Sequence, residues 1–226
     1  MRIGYYAAAL SSKEQMKRLE VLSNNLANVN TPGFKREDVK FTDFLYEETR
    51  TQMNQGNVKT TSQPLDVALV GEGFFKVQKK DGIFYTRAGN FTLNASGQLC
   101  LPDGSLVLGK NNQPITLKSY NVIIDEKGRI IEEGKVVSEL AVVSFNKSVN
   151  MEKVGFNLFK PSDQNAKEEN PKDTIVKQGS LEEANVNIVE EMTKMIDTMR
   201  GFEAYQKTFQ TFHEEDRQLT RRTVTR

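Results

Sequence analysis

Hydrophobic and polar positions follow two different rhythms along this chain. Near the N-terminus, Leu19, Leu22, Leu26 and Val29 recur at spacings of three, four and three, the period of one helix face. Extended backwards, the stripe passes through Gln15, Ser12, Ala8 and Tyr5, so it is apolar in its second half and small or polar in its first. Lys13, Glu14, Lys17, Arg18 and Glu20 lie mostly off it. The pattern predicts an amphipathic helix over about Ile3 to Val29, a rod of roughly 40 Å. It should stop where Asn28 to Asn30 tolerate left-handed geometry and Pro32-Gly33 bars continuation. A second helix is expected over about Leu181 to Leu219. There Ile188, Met192, Met195, Met199, Phe202 and Phe209 form one stripe, and Val189, Ile196 and Phe212 a neighbouring one. Two adjacent stripes give a face wide enough to meet more than one partner helix.

Between the helices the rhythm shortens. Apolar runs at Asp66–Val70, Gly73–Gln78, Ile83–Thr86, Phe91–Leu93, Leu99–Leu101, Leu106–Leu108, Ile115–Leu117, Val122–Ile124, Arg129–Ile131 and Glu139–Phe145 are punctuated by turn signals such as Asp81-Gly82, Pro102-Asp103-Gly104 and Glu126-Lys127-Gly128. Close spacing without an intervening helical period favours an antiparallel sheet over βαβ units. The fold class is therefore α+β. A discontinuous coiled-coil domain is expected from residues 1–35 and 178–226, an extended polar connector at 36–63, and a mostly antiparallel β domain at 64–177. Phe41, Phe44 and Leu45 are expected to anchor a short helix or strand within the connector. The polar stretch from Pro161 to Lys172 reads as a loop, and the Arg-rich tail from Arg217 to Arg226 as frayed or solvated.

Composition narrows the chemistry. The chain has 226 residues, 31 basic and 30 acidic, for a net charge of +1. That balance gives no electrostatic footprint for nucleic acid. A single cysteine, Cys100, excludes an internal disulfide framework and reads as a small apolar strand residue. No run reaches the roughly 20 apolar residues that span a bilayer, so direct membrane insertion is not expected. The apolar stretch Tyr5 to Leu10 is short for a secretion signal. His213 is the sole histidine and sits in the amphipathic C-terminal helix, a poor foundation for a catalytic triad. Gly71-Glu72-Gly73 lacks the rest of a dinucleotide fingerprint and reads as a tight turn before Phe74-Phe75. The acidic pairs Glu132-Glu133, Glu168-Glu169 and Glu182-Glu183 read as solvated turn or helix-start charges. No catalytic, cofactor or metal site is expected.

Asparagines are the polar residues that stand out. Asn24, Asn25, Asn28 and Asn30 crowd the end of the first helix, and Asn185 and Asn187 flank Val186 at the start of the last. Asparagine is a poor interior helix former, so the density suits capping or a polar interface between helix ends. A long helix joined only through a polar connector should be marginal until other helices cover it. The termini are therefore expected to order on assembly.

Three blocks carry a resemblance. Leu22-Ser23-Asn24-Asn25-Leu26-Ala27-Asn28-Val29-Asn30-Thr31-Pro32-Gly33-Phe34-Lys35 resembles the N-terminal signature of flagellar basal-body rod and hook proteins. Gln178 to Asn187, running on through Met192, Met195-Ile196 and Phe202-Glu203-Ala204-Tyr205, resembles the family's C-terminal signature. Pro64 to Phe75, followed by Tyr85 to Phe91, resembles the opening of the β domain in its longer members. The resemblance implies a non-enzymatic subunit of the rod, with its helices packed as coiled coils in an inner tube. It also implies export through the flagellum's own type III apparatus without a cleaved signal, residence in the periplasmic space, and partners that are copies of itself and other rod proteins. The compact middle favours the proximal rod subunit, with the distal rod or a hook-like subunit as the alternative. The assembly interface is expected to use Leu19, Leu22, Asn24, Asn25, Leu26, Asn28, Val29, Asn30, Pro32, Gly33 and Phe34 from the first block. From the last it is expected to use Asn185, Val186, Asn187, Met192, Met195, Ile196, Met199, Phe202 and Phe209. Outside the family, a β ligand-binding module on a helical dimerisation stem also fits the pattern.

Overall fold

The computed structural model describes residues 2–42, 46–146, 149–155, 157–163, 165–171 and 173–224. Two compact units emerge, one of Met1–Asn28, Glu37–Gln52 and Val186–Arg226, the other of Val29–Arg36 and Met53–Asn185.

The first unit contains α1 (Arg2–Ala27), the hairpin strands β1 (Glu37–Thr42) and β2 (Tyr46–Thr51), and α2 (Ile188–Val224). Helix α1 ends where the Asn28 side-chain amide donates to the Asn24 carbonyl at 2.9 Å, satisfying a group the helix leaves orphaned. Helix α2 is capped by Asn187, whose Oδ1 accepts from the amides of Val189 (3.1 Å) and Glu190 (3.3 Å). Glu190 and Glu191 in its first turn complement the helix dipole. Segment 36–63 differs from the extended connector expected. Its first part folds back as the antiparallel pair β1–β2, Glu37 opposite Thr51 through Thr42 opposite Tyr46. Phe44 and Leu45 lie outside the described residues, as do Thr225 and Arg226. The tail through Val224 is helical, not frayed.

In the second unit the strands are β3 (Val58–Thr60), β4 (Val67–Val70), β5 (Phe74–Lys79), β6 (Gly82–Thr86), β7 (Thr92–Leu93), β8 (Leu99–Cys100), β9 (Leu106–Val107), β10 (Ile123–Ile124), β11 (Arg129–Glu132), β12 (Lys135–Glu139), β13 (Val142–Val143), β14 (Met151–Lys153), β15 (Leu158–Pro161), β16 (Ile175–Gln178) and β17 (Ser180–Glu182). The largest sheet runs β14-β15-β6-β5-β9-β8-β7, with β13 also on β5. Beside it, β10-β11-β12 form a second sheet, and β16 and β17 pair with β4 and β3. Every pairing among these strands is antiparallel. Alternation along β5 sends Phe75 and Val77 into the main core with Leu69, Leu99 and Ile130. It sends Phe74 to a second cluster with Tyr85, Val143 and Phe159. Cys100 is buried as a strand residue. Leu181, expected to open the last helix, lies in β17; the helix starts seven residues later. Gly179, in left-handed geometry, bends the chain between β16 and β17, where pairing passes from β4 to β3.

Candidate assembly interface

The two long helices of the first unit run antiparallel, and the contact divides the apolar positions of α2 between two faces. Met195, Phe202, Tyr205, Phe209 and Phe212 are half-buried on the side toward α1. Val189, Met192, Ile196 and Met199 are 74%, 48%, 52% and 49% exposed. Their spacing of three, four and three forms a second seam, roughly 120° around the helix from the first. On α1, Leu19, Leu22 and Leu26 are half-buried, Ala8 and Val21 are buried, and Met16 and Tyr6 face outward. The stripe predicted on α2 is thus real but split: one part is consumed inside the unit, the other is left open.

A polar node holds α1, β1 and α2 together. Asn25 is fully buried. Its Oδ1 accepts from the Glu37 amide at 2.9 Å. Its Nδ2 donates to the Glu37 carbonyl at 2.8 Å and to Glu191 Oε2 at 3.0 Å. Asn24 adds a bond from its amide to the Glu37 carboxylate at 2.8 Å. The buried amide therefore uses both its acceptor and its two donors.

The second unit contains a buried charge cluster that joins residues from all three signature blocks. Lys35 Nζ donates to Glu182 Oε1 at 2.6 Å and to the Asn54 carbonyl at 2.7 Å. Arg87 Nη1 donates to Glu182 Oε2 at 3.3 Å, and its Nη2 to the Gly71 carbonyl at 2.7 Å. The Gly56 amide also donates to Glu182 Oε1, at 3.0 Å. All three charged side chains are shielded from water. Burial pushes the Lys35 ammonium and the Arg87 guanidinium below their usual values, and the Glu182 charge pulls back against this. Gly33 closes the cluster, its amide donating to the Glu182 carbonyl at 2.8 Å. With φ at +67° and the Arg87–Ala88 backbone pressed against it, this position leaves no room for a side chain. Phe34 is buried beneath the Lys153 ammonium, 3.9 Å from the ring centre. Asn185 bonds the Arg36 amide and the Asn54 carbonyl.

The expected acidic pairs need correction. Glu182 and Glu132 are buried, not solvated. Glu132 accepts from the amides of Lys118 (3.0 Å) and Ser119 (2.9 Å). Glu168 is held by Lys76 Nζ at 2.8 Å and by the Tyr85 hydroxyl at 2.7 Å. Glu133, Glu168, Glu169 and Glu183 are exposed, as read from the sequence. In the first and third pairs a carboxylate is buried where backbone amides or a cation satisfy it; Glu168 stays exposed, as the sequence suggests, though it is paired. Among the expected interface residues, Gly33, Phe34 and Asn25 are buried, while Asn24, Asn30, Asn187, Met192, Ile196 and Met199 are exposed. Val29, Pro32, Val186 and Asn28 are intermediate. His213 is exposed on α2.

Comparison with known proteins agrees with this architecture. Residues 12–35 match the flagella basal body rod protein model, 68–132 the flagellar hook protein FlgE/F/G D1 domain, and 177–222 the flagellar basal body rod FlgEFG protein C-terminal model. The flagellar basal-body rod protein FlgG of Bacillus subtilis is 31% identical over 249 residues, covering 92% of this chain and 94% of that protein. The chain belongs to the flagellar basal-body rod protein family. Another rod protein, FlgG of Agrobacterium fabrum, is 30% identical at the same coverage. FlgF of Rhizobium meliloti is 30% identical over 217 residues, 90% of each chain. As a member of this family the rod protein is a structural subunit of the flagellar basal body, not an enzyme, and it assembles with other flagellar rod and hook proteins.

Proposed function

We propose that this rod subunit polymerises helically, with copies of itself and with other rod proteins, through its terminal helices, to form the drive shaft that transmits torque. The observation that carries the reading is the open seam of Val189, Met192, Ile196 and Met199 on a helix already paired on its other face. Four large apolar side chains at coiled-coil spacing gain by meeting a further helix. A helix end carried by a neighbouring subunit supplies one without closing the array, as a heterologous contact does.

The proximal stretch of the rod is the position we favour, on the compactness of the β unit. At nearly equal coverage the FlgG match extends over 249 residues and the FlgF match over 217, so this chain is closer in length to the shorter relatives. Export through the flagellar type III apparatus, to a rod in the periplasmic space, belongs to the same reading.

Replacing Ile196 or Met199 with Asp should abolish swimming while the β unit keeps its thermal transition. Normal swimming in those variants would sink the assembly reading. Tracing the chain in an image of the purified basal body tests the position, and density at the distal rod would overturn the proximal assignment.

A further inference from the structure

We propose that the pairing register of α1 against α2 is encoded by the buried bond between Asn25 and Glu191, and that this register aims the open seam for assembly. The proposal rests on the assembly reading above. Three points along the helix pair make contact at distinct levels. The ring of Phe212 lies 3.4 Å from where a Cβ on Gly4 would stand. Gln15 lies 3.7 Å from the corresponding point on Gly201. Asn25 meets Glu191 at 3.0 Å. In each pair the two residue numbers add to 216, so one antiparallel register runs the length of the contact without a skip. The three levels stand about three helical turns apart.

The rest of the seam cannot fix that register. Leu19, Leu22, Leu26, Met195 and Phe202 make apolar contacts, which carry no direction and tolerate a shift by one turn; methionine adapts especially well. The bond between Asn25 and Glu191 does not tolerate it. A slip of four residues sets Asn25 against Met195, stranding a buried amide proton that Glu191 now accepts. The same slip places Gln15 opposite Tyr205 in place of Gly201. Asn25 is also held from the side by both backbone groups of Glu37, so α1 cannot move to follow. Because Glu191 and the open seam share one rigid helix, fixing Glu191 fixes the direction in which Val189, Met192, Ile196 and Met199 point.

The test is a distance measurement between spin labels on Lys13→Cys and Glu203→Cys in the full chain; Cys100, being buried, stays unlabelled. The chain with native Asn25 and Glu191 should give one narrow distance. Asn25→Leu should keep the helices paired but add slipped populations, the native one losing about tenfold relative to them, and should impair swimming. Glu191→Gln retains an acceptor and should keep one distance and normal swimming. Asn25→Asp opposes two carboxylates and should lose both; adding Glu191→Gln should restore most of each, a coupling that simple loss of packing does not produce. A single distance in Asn25→Leu, complete separation of the helices, or failure of the rescue would each overturn the proposal. If Ile196→Asp swims normally while the distances behave as expected, the assembly reading falls and the register code stands. If Ile196→Asp is immotile and the distances do not respond, only the code falls.

Discussion

In the β unit, Val67, Phe75, Val77, Leu99, Ile130 and Phe159 are completely buried, while in the helical unit Ala8 and Val21 are the buried apolar residues among those described. The helical unit instead shows Val189, Met192, Ile196 and Met199 to solvent. The β unit closes three buried charges, Lys35, Arg87 and Glu182, on one another, whereas the helices bury one carboxylate, Glu191, against the neutral amide of Asn25. One part of the molecule spends its apolar surface on its own stability and the other keeps it for neighbours. Substitutions should separate the two: those in the β unit change folding, those on the open seam change assembly.

The largest effect on folding is expected at the charge cluster. Glu182→Ala leaves two buried cations without their carboxylate and should cost about 3–5 kcal/mol in urea unfolding of the β unit. Retained stability would show that the cluster does not hold that unit. Next comes Gly33→Ala, which forces a side chain into left-handed backbone at a site where its Cβ would stand 2.3 Å from the Ala88 nitrogen. A loss of about 1–3 kcal/mol is expected, readable as a lower melting temperature. Acid should then act locally on the polar segment around Glu168. Burial raises that carboxyl, but the hydrogen bonds from Lys76 and Tyr85 outweigh burial and hold it below the usual range. A depressed native value stabilises the fold above the ordinary one. The contribution should begin to fade as pH falls past about 4.3 and vanish below the native value. Hydrogen exchange at Ala166 to Glu169 should rise across that window, and a Lys76→Met variant should lose the response. Smallest of all is Met192→Ser, expected to change the stability of the dilute chain by no more than about 0.5 kcal/mol. Its effect should appear instead in rod assembly, and a large loss of monomer stability would erase the distinction between the units.

Where periodicity was strong, the fold was legible. The stripes of α1 and α2 announced both helices, and alternation with turn residues announced β4 to β11 within a residue or two. The hairpin β1–β2 was hard to read, because in β1 only Val39 and Phe41 alternate with polar residues and β2, Tyr46-Glu47-Glu48-Thr49-Arg50-Thr51, carries almost no apolar alternation. β16 and β17 were hidden for another reason: three or four residues around Gly179 are too few to show a period, and the acidic start of the next helix absorbed them. The open seam cuts across both predicted stripes, taking Met192 and Met199 from one and Val189 and Ile196 from the other, because pairing with α1 decides which apolar positions are consumed. Buried Lys35, Arg87 and Glu182 were the hardest to foresee. A charge reads as solvated until its counter-charge, here over a hundred residues away in the case of Lys35 and Glu182, is brought beside it by the fold.

The last strands of the β unit pair with its first: β17 lies on β3 and β16 on β4, and Glu182 completes a cluster begun by Lys35. A polypeptide delivered from its N-terminus onward therefore holds an incomplete β unit until four-fifths of its length has arrived. Chains ending at Thr174 should lack a cooperative melting transition that chains ending at Asn185 possess. Late completion of this kind keeps a polymer thread-like for most of its passage through any narrow conduit, and lets it set only when its second long helix is about to follow.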